Sequence, residues 1–329
     1  MNRRRLLGAA AGALFVPSLA RAQPAWPNRS VRLVAQFPPG GLVDTVARLL
    51  APVMAQALGQ SVVVENRPGA GGVIGTDVVA KAPADGYTLL VSHASVHVFG
   101  AATRPVLPFD PVADFTHMVH LVEAPNVLLV RANSPLQTLE QYVTQARTRP
   151  VRFGSSGIGS APHLLGAMLS AEARAPQLDH IPYAGSAPAM QDMLAGSIES
   201  MIDPITTNVQ QLRDGSLRAL AVSSPQRLPA FPNIPTFAEL GFPRLTSAQW
   251  LGLSAPKGLP APIAERLTAM VPPMLKRPEL AQRFSDLQTL PRDPAPTGEA
   301  FISLMREEIA AWTSVARVLL NLHETITRN

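Results

Sequence analysis

Apolar runs that end in glycine- and proline-rich loops, each loop opening a helical pattern, constrain this chain more than any other feature. Val31–Phe37 reads as a strand and is cut off by Pro38-Pro39-Gly40-Gly41. Asp44 opens an apolar-periodic helix that runs through Leu58 and closes at Gly59. Ser61–Glu65 is a second strand, followed by the turn-rich Asn66–Gly72 and a helix to about Lys81. Asp85-Gly86 then turns into the buried strand Tyr87–Ser92. This β-α-β-α-β order demands a parallel sheet wrapped by helices.

A second set begins after Pro125. It comprises strand Val127–Arg131, helix Thr138–Thr148, strand Val151–Ser155, helix Ala161–Ala173 and strand Leu178–Tyr183. Helix Ala187–Gly196 and strands Ile198–Asp203 and Leu217–Ser223 complete it, before a strand at Trp250–Ala255 and a helical C-terminus. Two such sets in 329 residues imply two α/β lobes. The economical arrangement places 23–122 and 248–329 in lobe 1 and 123–247 in lobe 2, with two strands crossing between them as a hinge. In such sheets ligands sit at the carboxyl ends of strands, where helix N-termini present free N–H groups.

The first 22 residues carry Arg3, Arg4, Arg5 and Arg21 and no acidic residue, so they account for most of the formal net charge of +5. No dense basic stripe is left, and phosphate-backbone binding needs one, so nucleic acid is not expected as a partner. Met1–Arg5, the apolar Leu6–Val16 and Ala20-Arg21-Ala22 form the three regions of an export signal, with cleavage expected after Ala22. The apolar run is too short to cross a bilayer. The mature chain is therefore expected in the periplasm, as a monomer not inserted in the membrane. The sequence contains no cysteine, which removes disulfides, thiolate nucleophiles and cysteine-ligated metals.

Three strand-to-helix loops are the candidate ligand contacts. Phe37, Pro38, Gly40, Gly41 and Asp44 form the first; its glycines let backbone approach a ligand, and it lacks the lysine of a P-loop. Ser155, Ser156, Gly159, Ser160 and His163 form the second, a small-residue nest at a helix start suited to a carboxylate. Ser160 also fits a plain helix cap. Tyr183, Gly185 and Ser186 form the third, and Asp203 ends a strand where a binding residue would sit. Ser160, His163 and Asp203 include the residue types of a hydrolase triad, yet no G-x-S-x-G elbow surrounds any serine. His93-x3-His97 and His117-x2-His120 have metal-like spacings without an acidic or cysteine partner, so neither metal nor other cofactor is expected.

Six ordered blocks, FPPGGLVDTVAR from Phe37, VENRPGAGGVIG from Val64, KAPADGYTLL from Lys81, GSSGIGSAPHL from Gly154, IPYAGSAPA from Ile181 and LRALAVS from Leu217, resemble the Bug-type extracytoplasmic solute receptors of tripartite tricarboxylate transporters. The resemblance implies a type II periplasmic-binding-protein fold that closes on a small carboxylate and delivers it to membrane transporter subunits, without catalysis. It carries the three loops over as binding loops, with Asp203, and adds Ser92 after the third strand. Leu42-Val43 departs from the small or hydroxylated residues usual before the aspartate, which points to a ligand with some apolar body. A secreted serine hydrolase using Ser160 and a sensor subunit of a signalling receptor are the competing readings.

Overall fold

The computed structural model describes residues 26–104 and 106–327. The expected export signal lies outside the described residues. No helix among them is long and apolar enough to cross a membrane.

The chain opens with β1 (Val31–Ala35), α1 (Leu42–Leu58), β2 (Val62–Asn66), α2 (Val73–Ala80) and β3 (Thr88–His93). β1 pairs in parallel with both β2 and β3, as the alternation of strands and helices requires. Helix α1 starts at Leu42, two residues before the expected Asp44, because Leu42 and Val43 are buried and belong to its apolar face. A π-helical turn, Ser95–Gly100, then runs into the short α3 (Ala101–Thr103).

β4 (Phe115–Arg131) is 17 residues long and belongs to both sheets. Its first part, Phe115–Pro125, pairs antiparallel with β9 (Ala248–Pro256), which in turn pairs with β3. Its second part pairs with β7 (Ser200–Pro204) on one side and β8 (Leu217–Val222) on the other. The expected strand Val127–Arg131 is therefore only the second half of β4. Phe115–Pro125 was not legible as strand because His117, His120, Glu123 and Pro125 break its apolar run. Pro125 sits where β4 passes from one sheet to the other, a place where a missing N–H disrupts least.

Between these strands lie α4 (Leu139–Ala146), β5 (Val151–Ser155), α5 (Ala161–Glu172), β6 (Leu178–Pro182) and α6 (Ser186–Ala195), with α7 (Val209–Arg213) after β7. β5 pairs in parallel with β6 and β7. The fold is a two-lobed periplasmic-binding-protein architecture, each lobe built on one of the two sheets. In the first, Leu33 and Met54 pack on one sheet face and Leu90 and Val79 on the other. In the second, Phe153 and Tyr142 cover one face and Met201 and Met193 the other. Such double-sided burial explains the nearly continuous apolar strands.

The two chain crossings lie side by side and are hydrogen-bonded. The Asn126 N–H donates to Ser223 Oγ at 2.9 Å, and Ser223 Oγ donates to the Ser247 carbonyl at 2.6 Å. Gln249 Nε2 donates to Asn126 Oδ1 at 2.5 Å, tying the start of β9 to the crossing in β4. After β9 the chain forms α8 (Ala261–Leu275), α9 (Pro278–Asp286) and α10 (Glu299–Thr327). Met274 and Phe284 return α8 and α9 to the first lobe. Helix α10 behaves differently. Its Phe301 and Met305 pack with Val98, Phe99 and Trp250 of the first lobe and with Ala161 and Leu164 of α5, so α10 spans both lobes.

Candidate functional site

Between the lobes, at the carboxyl ends of β1 and β3, a small cavity is lined by residues of both. The first lobe contributes Phe37, Pro38, Pro39, Gly41, Leu42, Val43 and His93. The second contributes Ser156, Gly185, Ser186, Ala187 and Pro204, with Gln249 from the second crossing. The cavity volume is about 20 Å³. That is room for roughly one water molecule, so a larger ligand enters only as the lobes part. No lining residue carries a formal charge.

Two helix N-termini face this cavity. Helix α1 begins after Gly41 and α6 after Gly185, and neither N-cap makes a side-chain capping bond. Their leading N–H groups and positive dipole ends are thus available to an anion. By contrast, α5 is capped: Ser160 Oγ accepts from the His163 N–H and donates to the Gly157 carbonyl at 2.7 Å. Ser160 is buried and absent from the cavity lining, so its hydroxyl closes the helix instead of reaching a ligand.

Asp44 is turned away from the cleft. Its carboxylate accepts from the Gly40 N–H at 2.9 Å, from Arg48 Nε at 3.0 Å and from Asn66 Nδ2 at 2.9 Å. Burial alone would raise its pKa, but hydrogen bonds from Arg48, Gly40 and Asn66 hold it below the usual carboxylate range. In place of the expected ligand contact Asp44 has a scaffold role, shaping the Gly40 turn that presents Gly41. Gly40 has φ +81°, a conformation that only glycine adopts freely.

The other expected contacts divide in the same way. Ser92 is buried and accepts from Ser254 Oγ at 2.8 Å; strand alternation turns it from the cleft and turns His93 toward it. Ser155 Oγ is hydrogen-bonded to His180 Nε2 at 2.6 Å, and His163 Nδ1 accepts from the Gly159 N–H at 3.1 Å. His163 and His180 stack with ring centroids 4.1 Å apart. Tyr183 donates to Asp192 Oδ2 at 2.7 Å and packs against the second sheet. Asp203 is fully buried, and burial pushes it up to about 6 against hydrogen bonds from Ser186, Thr207 and Asn208. Ser186 therefore spends its hydroxyl on Asp203 at 2.6 Å and offers the cavity its backbone.

No side-chain to side-chain hydrogen bond among the described residues joins Ser160, His163 and Asp203, the one link being the helix-cap bond from the His163 backbone N–H to Ser160 Oγ, so the triad residue types do not assemble into a triad. His97, His117 and His120 pack as rings among Phe115, Trp250 and Phe301. Across the cleft rim, Arg104 Nη2 donates to the Ala70 carbonyl at 2.9 Å and to the Ile158 carbonyl of the other lobe at 3.1 Å.

Residues 46–317 match the protein family described as the tripartite tricarboxylate transporter family receptor. Protein BugT of Bordetella pertussis (strain Tohama I) is 35% identical over 324 residues, spanning 96% of this chain and 98% of BugT. The chain belongs to this receptor family. Two solved structures extend the likeness to the whole Bug-type receptor fold. MatC from Rhodopseudomonas palustris with bound malate superposes with a TM-score of 0.83 at 34% identity, covering 88% of this receptor and 99% of MatC. Rpa4515 of the same species, solved with adipate, gives 0.84 at 32% identity and covers 89% and 98%.

Pro39, Leu42, Val43 and Ala187 line the cavity from within the expected loops without being candidates themselves, and three further lining residues of this receptor lie outside those loops: His93, Pro204 and Gln249. Pro204 directly follows the expected Asp203, so strand-end reasoning came within one residue of it. Gln249 carried no local signal, because its placement depends on the crossing of β9 beside β4. His93 was weighed only as a metal ligand, and the cue that it faces the cleft was its place at the end of a buried strand.

Proposed function

We propose that this receptor captures a small dicarboxylate between its lobes in the periplasm and delivers it, unchanged, to the membrane subunits of a tripartite tricarboxylate-type transporter. The observation that carries this reading is the pair of uncapped helix N-termini, α1 and α6, meeting one cavity from opposite lobes. Such termini bind carboxylates through N–H groups and dipole, without a cationic side chain. A ligand with one carboxylate contact on each lobe stabilises the closed form over the open one, which couples binding to hinge closure. The lobes divide near residues 122 and 248, and the receptor works as a monomer after export.

The malate and adipate named in the solved relatives belong to this ligand class. Leu42 and Val43 on the first-lobe wall favour an aliphatic body over a compact polyanion such as citrate. Ligand binding without turnover is favoured because Ser160 is committed to its helix cap. A thermal-shift screen of carboxylates tests this. Malate or adipate at ~100 times Kd should add about 2.7 kcal/mol, a shift of several degrees. Hydrolysis of small esters with no stabilisation by any carboxylate would favour a hydrolase instead.

A further inference from the structure

His93 is the last residue of β3, and the π-helical turn that follows carries the chain away and leaves the imidazole on the cavity wall. The ring is held edge-on against Phe37, with centroids 5.4 Å apart. The Ser95 N–H donates to His93 Nδ1 at 3.3 Å. A ring nitrogen that accepts carries no proton, so the proton of the neutral ring sits on Nε2. Nε2 is buried and finds no hydrogen-bond partner among the described residues. The side chains of Ser186 and Gln249 are already engaged, with Asp203 and Asn126 respectively. His93 therefore places on the cavity wall an imidazole whose Nε2–H is unspent, the ring held by a strand end and a backbone hydrogen bond.

We propose that His93 is a specificity-determining residue of this receptor, its Nε2–H donating to a carboxylate oxygen of the dicarboxylate held between α1 and α6. The inference rests on the proposed function and adds the residue that selects the ligand's acceptor. Burial, with a smaller contribution from His97, holds the imidazole pKa down to about 3, so the donor is a neutral N–H at physiological pH. A neutral donor rewards an oxygen acceptor at that point and disfavours an ammonium, which would leave two donors facing each other. The site therefore fits acids presenting carboxylate or hydroxyl oxygen there, and selects against an amino group in that place.

The test compares wild type with His93→Asn and His93→Gln by calorimetric titration of adipate and malate. Asn keeps an acceptor near the position of Nδ1 for the Ser95 N–H but falls short of the cleft. Gln extends an N–H toward the position of Nε2. Loss of a hydrogen bond to a charged group predicts about 10- to 100-fold weaker binding for His93→Asn. His93→Gln should stay within several-fold of wild type, and melting temperatures should remain close. Wild-type affinity in His93→Asn, or equal losses in both variants, would overturn the role. As a measurement independent of either variant, the Nε2–H proton resonance of His93 should move downfield on adding adipate to the wild-type protein, and an unmoved resonance would overturn it too. A wild type that binds neither acid defeats the functional reading itself, and that result is read from the wild-type titration alone.

Discussion

Acidified from pH 6.5 toward pH 4, the receptor should lose stability steeply. Burial is the leading cause: it holds His93 and His117 down to about 3 and His97 to about 4, against 6.5 for the free side chain. A histidine with a depressed folded pKa binds its proton first in the unfolded chain. Its stabilising contribution is complete above pH 6.5 and is lost as pH falls toward the folded value, at about 1.4 kcal/mol per pH unit. His163 and His180 shift the same way, to about 4 and about 3, with less complete burial.

Two acids oppose them. Asp203 is raised to about 6, and Glu308, half-buried and accepting from Trp250 Nε1, to about 7. Each takes up its proton first in the folded state, so each favours folding as pH falls toward its unfolded value. Five histidines against two acids leave up to about three protons in favour of unfolding, or roughly 4 kcal/mol per pH unit at most. Over two units that amounts to up to about 8 kcal/mol, a large share of the about 5–15 kcal/mol by which a domain is stable. Urea titrations followed by circular dichroism at stepped pH should show the midpoint falling steadily below pH 6.5. An unchanged midpoint at pH 7 and pH 4.5 would mean that the buried histidines are solvated more than their packing indicates.

Gly185→Val should abolish tight binding while leaving the lobes folded. Gly185 has φ 169°, ordinary extended backbone, so a side chain there is not strained. A Cβ would, however, lie 3.0 Å from Pro38 Cγ and 3.1 Å from Cδ, on the opposite wall of the cleft. The bare Cβ of Gly185→Ala asks for a few tenths of an ångström, which hinge motion absorbs. Two further methyl groups hold the lobes apart and separate α1 from α6. If closure is made about 3 kcal/mol harder, affinity falls about 100-fold, with only a small change in melting temperature. Wild-type affinity in Gly185→Val would mean that ligand is held without the lobe contact seen here.

The alternation of strands and helices was legible because each apolar run ended in glycine or proline, and those loops stand at the cleft. Phe37, Pro38, Gly41, Ser156, Gly185 and Ser186 all line the cavity. What the sequence could not show was the direction of individual side chains. Asp44 and Ser160 look alike as polar residues at helix starts, yet each is spent on its own loop. Ser92 and His93 are adjacent, and the pleat of β3 alone decides which of them faces the cavity. The long β4 was hidden for a different reason. Its histidines and Glu123 are polar by type but are sheltered by β9 and α10, a tertiary environment with no local signature.

The central claim is that uncapped helix ends on two lobes hold a dicarboxylate by its charges. The most direct measurement is calorimetric titration of the mature receptor with adipate and with its dimethyl ester. Esterification leaves the aliphatic body intact and removes both charges. The account predicts saturable one-to-one binding of adipate and at least about 100-fold weaker binding of the diester, as loss of charge-assisted hydrogen bonds at both ends requires. Equal affinity for acid and diester, or no binding of adipate or any related dicarboxylate, would contradict it.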